Sequence, residues 1–101
     1  MSHELDTLQM AVLSVCRDAR EPMHALHAHA EDWLARPLES EELARAIDAM
    51  ERTGLIAAYR LVESEWIVVR AGSAPATELR FLATPAGAEA VAIAWQRFFS
   101  E

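Results

Sequence analysis

The run from Ser40 to Ile56, SEELARAIDAMERTGLI, constrains the fold of this chain more than any other segment. Apolar side chains recur within it at the spacing of one helix face: Leu43, Ile47 and Met50. We therefore expect a helix over about residues 41–53 that buries these three side chains. Ser40 is placed to cap its N-terminus, and Gly54 is placed to end it in the left-handed conformation. Residues rich in β-formers follow at once, so the run predicts a helix that turns directly into a strand.

A second run, FLATPAG from Phe81 to Gly87, predicts a strand that leads into a closing helix. Thr84 can cap this helix, and Pro85 suits its first position because proline lacks the N–H that would be unpaired there. The helix then shows one broad apolar face: Ala88, Val91, Ala92, Trp95, Phe98 and Phe99. Such a stripe is too large to leave in water. Either it completes the core, or it packs against a second copy of the chain.

The remaining pattern predicts two earlier helices and a small sheet. One amphipathic helix is expected from about Glu4 to Ala19, with Met10 off its buried face and open to a partner. Pro22 is expected to open a second helix that ends before Pro37, which leaves residues 36–39 as a turn or a minimal first strand. Three β-rich stretches, at about residues 55–62, 65–70 and 78–83, predict two or three antiparallel strands.

Together these elements predict an α+β fold, mainly α, in a single domain over residues 1–101. Its core is expected within residues 4–84, and residues 85–100 form a candidate dimerisation helix. Three helices, a small antiparallel β wing and a C-terminal helix, in that order, are typical of a winged helix-turn-helix domain.

Two segments also resemble a known group of proteins. Leu43 to Ile56 resembles the third helix and following strand of winged-helix bacterial regulators, the broad group that contains the PadR and MarR families. Phe81 to Gly87 resembles their strand-to-helix motif, and the similarity extends over about residues 38–100. In these families the third helix enters the major groove, the wing contacts the backbone or the minor groove, and terminal helices form a two-fold dimer.

This resemblance implies a transcription regulator that binds DNA, with named residues at each surface. The implied DNA contacts on the third helix and the wing are Ser40, Arg45, Ala49, Arg52, Arg60 and Arg70. The implied homodimer interface on the last helix consists of Val91, Trp95, Phe98 and Phe99.

The charge of the chain favours a second hypothesis. Its formal net charge is −7, and a negative field slows encounter with DNA. The expected outer face of the third helix is net acidic, because Glu41, Glu42 and Asp48 outnumber Arg45 and Arg52. The wing is neutral: Arg60, Arg70 and Arg80 are balanced by Glu63, Glu65 and Glu78. A winged-helix module that does not bind DNA, and instead presents an acidic surface to a basic protein as an adaptor, an anti-repressor or a phosphate mimic, is therefore the alternative.

Composition indicates the cellular compartment of the protein. A single cysteine, Cys16, excludes an intramolecular disulfide and fits a reducing compartment, and its place among apolar positions predicts burial. The N-terminal residues lack a basic region followed by an apolar core, and no apolar run has the roughly 18 residues of a membrane span. We therefore expect a cytoplasmic protein without a membrane partner.

Other groupings suggest chemistry only weakly. His24, His27 and Glu31 lie at helical spacings that can gather metal ligands, although solvated or partly packed histidines are the more ordinary interpretation. Trp33, Trp66 and Trp95 could line an aromatic ligand pocket, or anchor a core or interface. No glycine-rich phosphate loop or nucleophile elbow is present in the sequence. We predict no catalytic residues, no metal and no cofactor, and hence a protein that is not an enzyme.

Overall fold

The computed structural model, which describes residues 5–99, contains four α-helices and a four-stranded antiparallel sheet. Along the chain these are α1 (Thr7–Val15), β1 (Glu21–Pro22), α2 (Met23–Leu34), α3 (Ser40–Arg52), β2 (Ile56–Val62), β3 (Glu65–Val69), β4 (Leu79–Ala83) and α4 (Pro85–Phe99). The predicted α+β class is confirmed. The predicted outer limits of the first and last helices, Glu4 and residue 100, lie outside the described residues.

The sheet has the strand order β1-β4-β2-β3, so β2 pairs with β3 on one side and with β4 on the other. All three predicted strands are confirmed within two residues at each end. Of the two alternatives for residues 36–39, the turn is confirmed and the minimal strand is wrong, because these residues form no strand and Glu21 and Pro22 pair with β4 instead. Proline is tolerated there since β1 lies at the edge of the sheet, where a missing N–H leaves no neighbour unpaired.

Helix α3 buries Leu43, Ile47 and Met50, as the spacing predicts. Gly54 ends the helix in the left-handed conformation, with φ of 76°. This conformation allows two hydrogen bonds to the last turn: Gly54 N donates to Glu51 O at 3.1 Å, and Leu55 N donates to Met50 O at 2.8 Å. The N-cap prediction is wrong by one residue. Ser40 is already helical, and Glu39 precedes the helix without a side-chain capping bond.

Helix α1 is shorter and more deeply buried than its amphipathic pattern predicts. Asp6 caps it reciprocally with Gln9, but the helix ends at Val15 and the Cys16 carbonyl accepts the N–H of Ala83 from β4 at 2.9 Å. It contacts α2, α3 and α4, so more than one face is covered. Met10 is only 7% exposed, which makes its expected availability to a partner wrong.

The junction between β4 and α4 joins the two sequence runs that carry the strongest local signals. Thr84 accepts the N–H of Gly87 at 3.0 Å, which confirms it as the cap of α4. Its hydroxyl also donates to Gly54 O at 2.6 Å, and its own N–H donates to Leu55 O at 3.1 Å. Gly87 lies against the same carbonyl: a Cβ at this position would be 1.9 Å from Leu55 O. The start of α4 is therefore packed directly on the backbone that follows α3.

The apolar stripe of helix α4 completes the core in its first half and stays exposed in its last turn. Val91 in its first half is fully buried with the core residues of α1, α3 and the sheet, so the core extends beyond residue 84. Its last turn instead exposes Phe98 and Phe99 at 60% and 75%.

Cys16 also belongs to this core, as predicted. It is fully buried, and burial raises its pKa to about 12 because the thiolate would lose its hydration. Within the described part of the chain, no helix combines the length and the apolar character needed to cross a bilayer.

Replacing Gly87 by alanine tests the α4 junction. Alanine normally stabilises a helix relative to glycine, but here its methyl group would overlap the Leu55 carbonyl, so we expect a loss of roughly 2–3 kcal/mol in the free energy of unfolding. Gly72→Ala is the matched control, because nothing lies within 4 Å of its added Cβ. Urea unfolding followed by circular dichroism measures both. Equal stability of the two variants would contradict the close approach.

Candidate nucleic-acid interface

The outer face of α3 brings together three of the residues implied as DNA contacts. Arg45 and Arg52 are seven residues apart, so they point in nearly the same direction, away from the buried face, at a separation of about 10 Å along the helix. Both are exposed, as is Ala49 between them. The small Ala49 side chain leaves the helix backbone open to close approach from outside.

Ion pairs neutralise part of this face. Arg52 Nη2 lies 2.8 Å from Asp48 Oδ2, in a pair that remains 75% and 52% exposed. Arg36 forms a fork with Glu42 at 2.8 and 3.3 Å, which lowers the pKa of Glu42 and raises that of Arg36. Arg45 contributes through its charge to the lowered pKa of Glu42, but it forms no ion pair with a described residue. Arg45 is thus the cation on this helix most accessible to an outside anion.

The start of α3 is less favourable to phosphate. Ser40 is exposed in the first turn of α3. Glu41 and Glu42 occupy the same turn and place negative charge at the positive end of the helix dipole. They stabilise the helix there and disfavour a second anion at its N-terminus.

The β2–β3 hairpin, residues 56–69, supplies the other implied contacts. Arg60 on β2 pairs with Glu78 at 3.2 Å. Arg70 follows β3, is exposed, and forms no ion pair with a described residue. The outer half of the hairpin carries apolar side chains in water: Leu61, Val62, Ile67 and Val68. It therefore offers apolar contact along its outer half, with the exposed carboxylates of Glu63 and Glu65 at its tip and the positive charge of Arg70 at its base.

An open groove of about 600 Å³ separates the end of α3 from the hairpin. Arg52 lines it from the helix, and Arg70 lines it from the end of β3. Glu51 Oε2 accepts the N–H of Ala71 at 2.8 Å, which ties the hairpin base to the last turn of α3. Two of the implied DNA contacts are thus held on opposite walls of one groove. Sequence reasoning missed Glu51, because its partner is a backbone group 20 residues away that no local pattern indicates.

His27 and Glu31 serve the turn before α3. His27 Nε2 donates to Leu38 O at 2.6 Å, Glu31 accepts the N–H of Leu38 at 2.8 Å, and the two side chains are 3.6 Å apart. His24 is exposed. Residues 5–99 contain no cluster of three or more His, Cys, Asp or Glu side chains suited to a metal ion. The side chains of His27 and Glu31, whose spacing suggested a metal site, instead bond the backbone carbonyl and N–H of Leu38.

The tryptophans do not share a pocket. Trp33 and Trp95 meet edge to face, with ring centroids 5.2 Å apart, whereas Trp66 on β3 lies beside Arg20 and Arg80. The hypothesis of a ligand site built from all three is therefore wrong. Trp33 and Trp95 come from helices, and Trp66 belongs to the sheet surface that faces away from them.

The implied dimer residues divide into two groups. Val91 is fully buried in its own chain, so it offers no surface to a partner, and its assignment to an interface is wrong. Trp95 is partly buried and donates from Nε1 to Ser14 Oγ at 2.8 Å. Phe98 and Phe99 contact Trp95 at centroid distances of 5.6 and 5.3 Å and face outward. An exposed aromatic patch remains, formed by Trp33, Phe98 and Phe99.

Comparisons of the chain with protein-family models, curated proteins and solved structures give no match. The chemistry of the surfaces just described is therefore the basis for a functional proposal. The α3 face and the groove beside it hold guanidinium groups, carboxylates and small side chains, which suit non-covalent recognition of a charged partner.

Glu51→Ala tests the link between α3 and the hairpin. Removing the carboxylate leaves the Ala71 N–H without its acceptor, so we expect a loss of about 1–2 kcal/mol and faster hydrogen exchange at Ala71. Glu51→Gln should retain most of the protection, because an amide oxygen also accepts. Asp48→Ala removes a carboxylate of an exposed pair and should cost under about 0.5 kcal/mol. Unchanged exchange at Ala71 in Glu51→Ala would contradict the link.

Proposed function

We propose that this chain is a winged-helix DNA-binding protein, with α3 as its recognition helix and the β2–β3 hairpin as its wing. The observation that carries the proposal is the outward pair Arg45 and Arg52 on an uncovered helix directly beside an antiparallel hairpin. The order of elements supports it, because a short strand between the first two helices pairs with the last strand of the sheet. The resemblance of residues 43–56 to winged-helix regulators agrees with the same arrangement.

The dimensions of α3 suit a major groove. Its 13 residues span about 20 Å, and the groove of B-DNA is about 12 Å wide. Arg45 would reach a base edge or a phosphate without first breaking an ion pair. Arg52 would exchange Asp48 for a phosphate at small cost, since an exposed ion pair contributes under about 1 kcal/mol. Arg70, on the opposite wall of the protein groove from Arg52, would contact the neighbouring DNA backbone.

The net charge of −7 sets the expected strength of this interaction. Few phosphates would be neutralised by one chain, so affinity for arbitrary DNA should be low and confined to low salt. A dimer doubles the number of DNA contacts, and it holds helix α3 of the second chain near its own half-site on the DNA. We propose that the aromatic patch of Trp33, Phe98 and Phe99 forms this dimer, because side chains of that size are rarely left together in water.

An acidic interaction module is the second candidate function. It is favoured by the ion pairs that occupy Arg36 and Arg52 and by the carboxylates of Glu41 and Glu42 at the helix start. Such a surface would complement a basic protein rather than a phosphate backbone. The two candidates differ in the sign of one effect: Glu41→Gln should strengthen DNA binding but weaken binding to a basic partner.

DNA binding is tested by retention of genomic fragments at roughly 20 mM salt, followed by quantitative titration of a retained fragment. Arg45→Ala and Arg52→Ala should each weaken binding about tenfold and lower the salt dependence by about one phosphate contact. Arg17→Ala removes the same charge from the loop after α1 and should have a smaller effect. No retention at low salt, or equal losses in all three variants, would contradict a DNA-binding role for α3.

The dimer is tested by molar mass from light scattering at about 100 µM protein, a concentration at which even micromolar association is visible. Phe98→Asp and Phe99→Asp should give monomers that remain folded, because both side chains are more than half exposed in the single chain. Ile93→Asp is the control on the other side of α4, where the side chain is 41% exposed. A wild-type monomer, or dissociation by Ile93→Asp alone, would place the interface elsewhere.

A further inference from the structure

The face of the sheet that points away from the helices carries a compact group of aromatic and cationic side chains. Tyr59 is paired with Arg80, and Leu61 with Trp66, so these four share that face, opposite the buried Phe81 and Leu79. Arg20 reaches the same face from the loop after α1. We call Arg20, Trp66 and Arg80 the arginine–tryptophan cluster.

The cluster holds its two guanidiniums around one indole. The Cζ atom of Arg20 lies 5.2 Å from the centroid of the Tyr59 ring and 5.4 Å from that of Trp66. The Cζ atom of Arg80 lies 5.4 Å from the Trp66 centroid. These distances are within the range of cation–π attraction, which holds a guanidinium over a ring while its N–H edge stays available to a ligand.

The charge of the cluster is not neutralised within the described chain. Arg36, Arg52 and Arg60 each bind a carboxylate, whereas Arg20 and Arg80 form no ion pair with a residue of the range 5–99. Asp18 lines the same groove without pairing with either arginine. In a chain with net charge −7, this surface gathers two exposed cations beside one indole ring.

We propose that the arginine–tryptophan cluster is a binding site for the phosphate group of a small phosphate monoester. A carboxylate has two oxygens, and a single guanidinium can bond both of them. A phosphate monoester has three terminal oxygens, so it can accept hydrogen bonds from two guanidiniums at once. Its charge of nearly −2 at neutral pH also matches two cations. The groove beside the cluster has a volume of about 380 Å³, a size typical of small-molecule sites, and Leu82 supplies an apolar wall for the organic part.

This site is independent of the proposed DNA surface. Helix α3 packs on β2 from the helical side of the sheet, whereas the cluster lies on the opposite side. Loss of one binding activity is therefore not expected to abolish the other.

The test follows the indole N–H of Trp66 in ¹H–¹⁵N spectra of the full chain, with Trp66→Phe used to assign the signal. Probes are ribose 5-phosphate, adenosine 5′-monophosphate and inorganic phosphate, with adenosine and acetate as controls. We expect saturable shifts with the phosphates, half-complete below about 1 mM, and none with the controls. Equal affinity for inorganic phosphate and the esters would identify phosphate itself as sufficient, whereas a tighter ester would show that the organic part also binds. No shift with any phosphate at about 10 mM, or an equal shift with adenosine, would overturn the proposal.

Variants separate the cluster from general electrostatics. Arg20→Gln and Arg80→Gln should each weaken phosphate binding about tenfold, and Asp18→Asn should strengthen it about threefold by removing a repelling carboxylate. Arg17→Gln, in the same loop as Arg20, is the control and should change little. These side chains are exposed, so the variants should fold. Equal loss in Arg17→Gln would overturn the proposal, as would duplex DNA binding that depends on Arg20 and Arg80 instead of Arg45.

Discussion

The contact between Gly87 and the Leu55 carbonyl is the constraint on which the rest of the structure depends. That carbonyl accepts the N–H of Thr84, whose hydroxyl bonds Gly54, and it leaves no room for a side chain at position 87. The end of α3, the start of β2, the end of β4 and the start of α4 therefore form one junction. Because the junction ties the C-terminal end of α3 to the sheet, it holds the outer face of that helix beside the hairpin.

The sheet separates two surfaces with different electrostatics. On the α3 side, Arg36, Arg52 and Arg60 are engaged by carboxylates at 2.8–3.2 Å, and Arg45 remains available. On the outer side, Arg20 and Arg80 contact aromatic rings instead of acids. The net charge of the chain averages over these surfaces and conceals the difference. Recognition of anions at two separate places is thus compatible with an acidic protein, since fields at contact range are set by neighbouring groups.

Local signals predicted the parts of the fold that depend on local physics. The apolar spacing of α3, the left-handed Gly54 and the Thr84-Pro85 start of α4 were all recognisable, because each is satisfied within a few residues. Strand β1 was not recognisable in the sequence, because its two residues, one of them a proline, are too few to show a periodic pattern. Burial of Met10 also escaped prediction, because a helix surrounded by three others buries more than one stripe. Of the candidate site, the helix face was predictable, whereas the meeting of Arg20 with Trp66 depends on chain crossings that no spacing encodes.

The turn between β2 and β3 sets how the hairpin behaves as a surface. Glu63 and Ser64 adopt φ values of 49° and 70°, a conformation that costs about 1–2 kcal/mol for each residue with a side chain. The strands must offset this cost, and they do so mainly near β4, where Ala58 is buried between Val69 and Phe81. Beyond Arg60 every side chain of the hairpin except Trp66 is exposed, so this part of the hairpin buries little apolar surface. The tip is consequently held by fewer buried side chains than the base, where Glu51 bonds the backbone of Ala71, so reshaping the tip against a binding surface would cost less free energy.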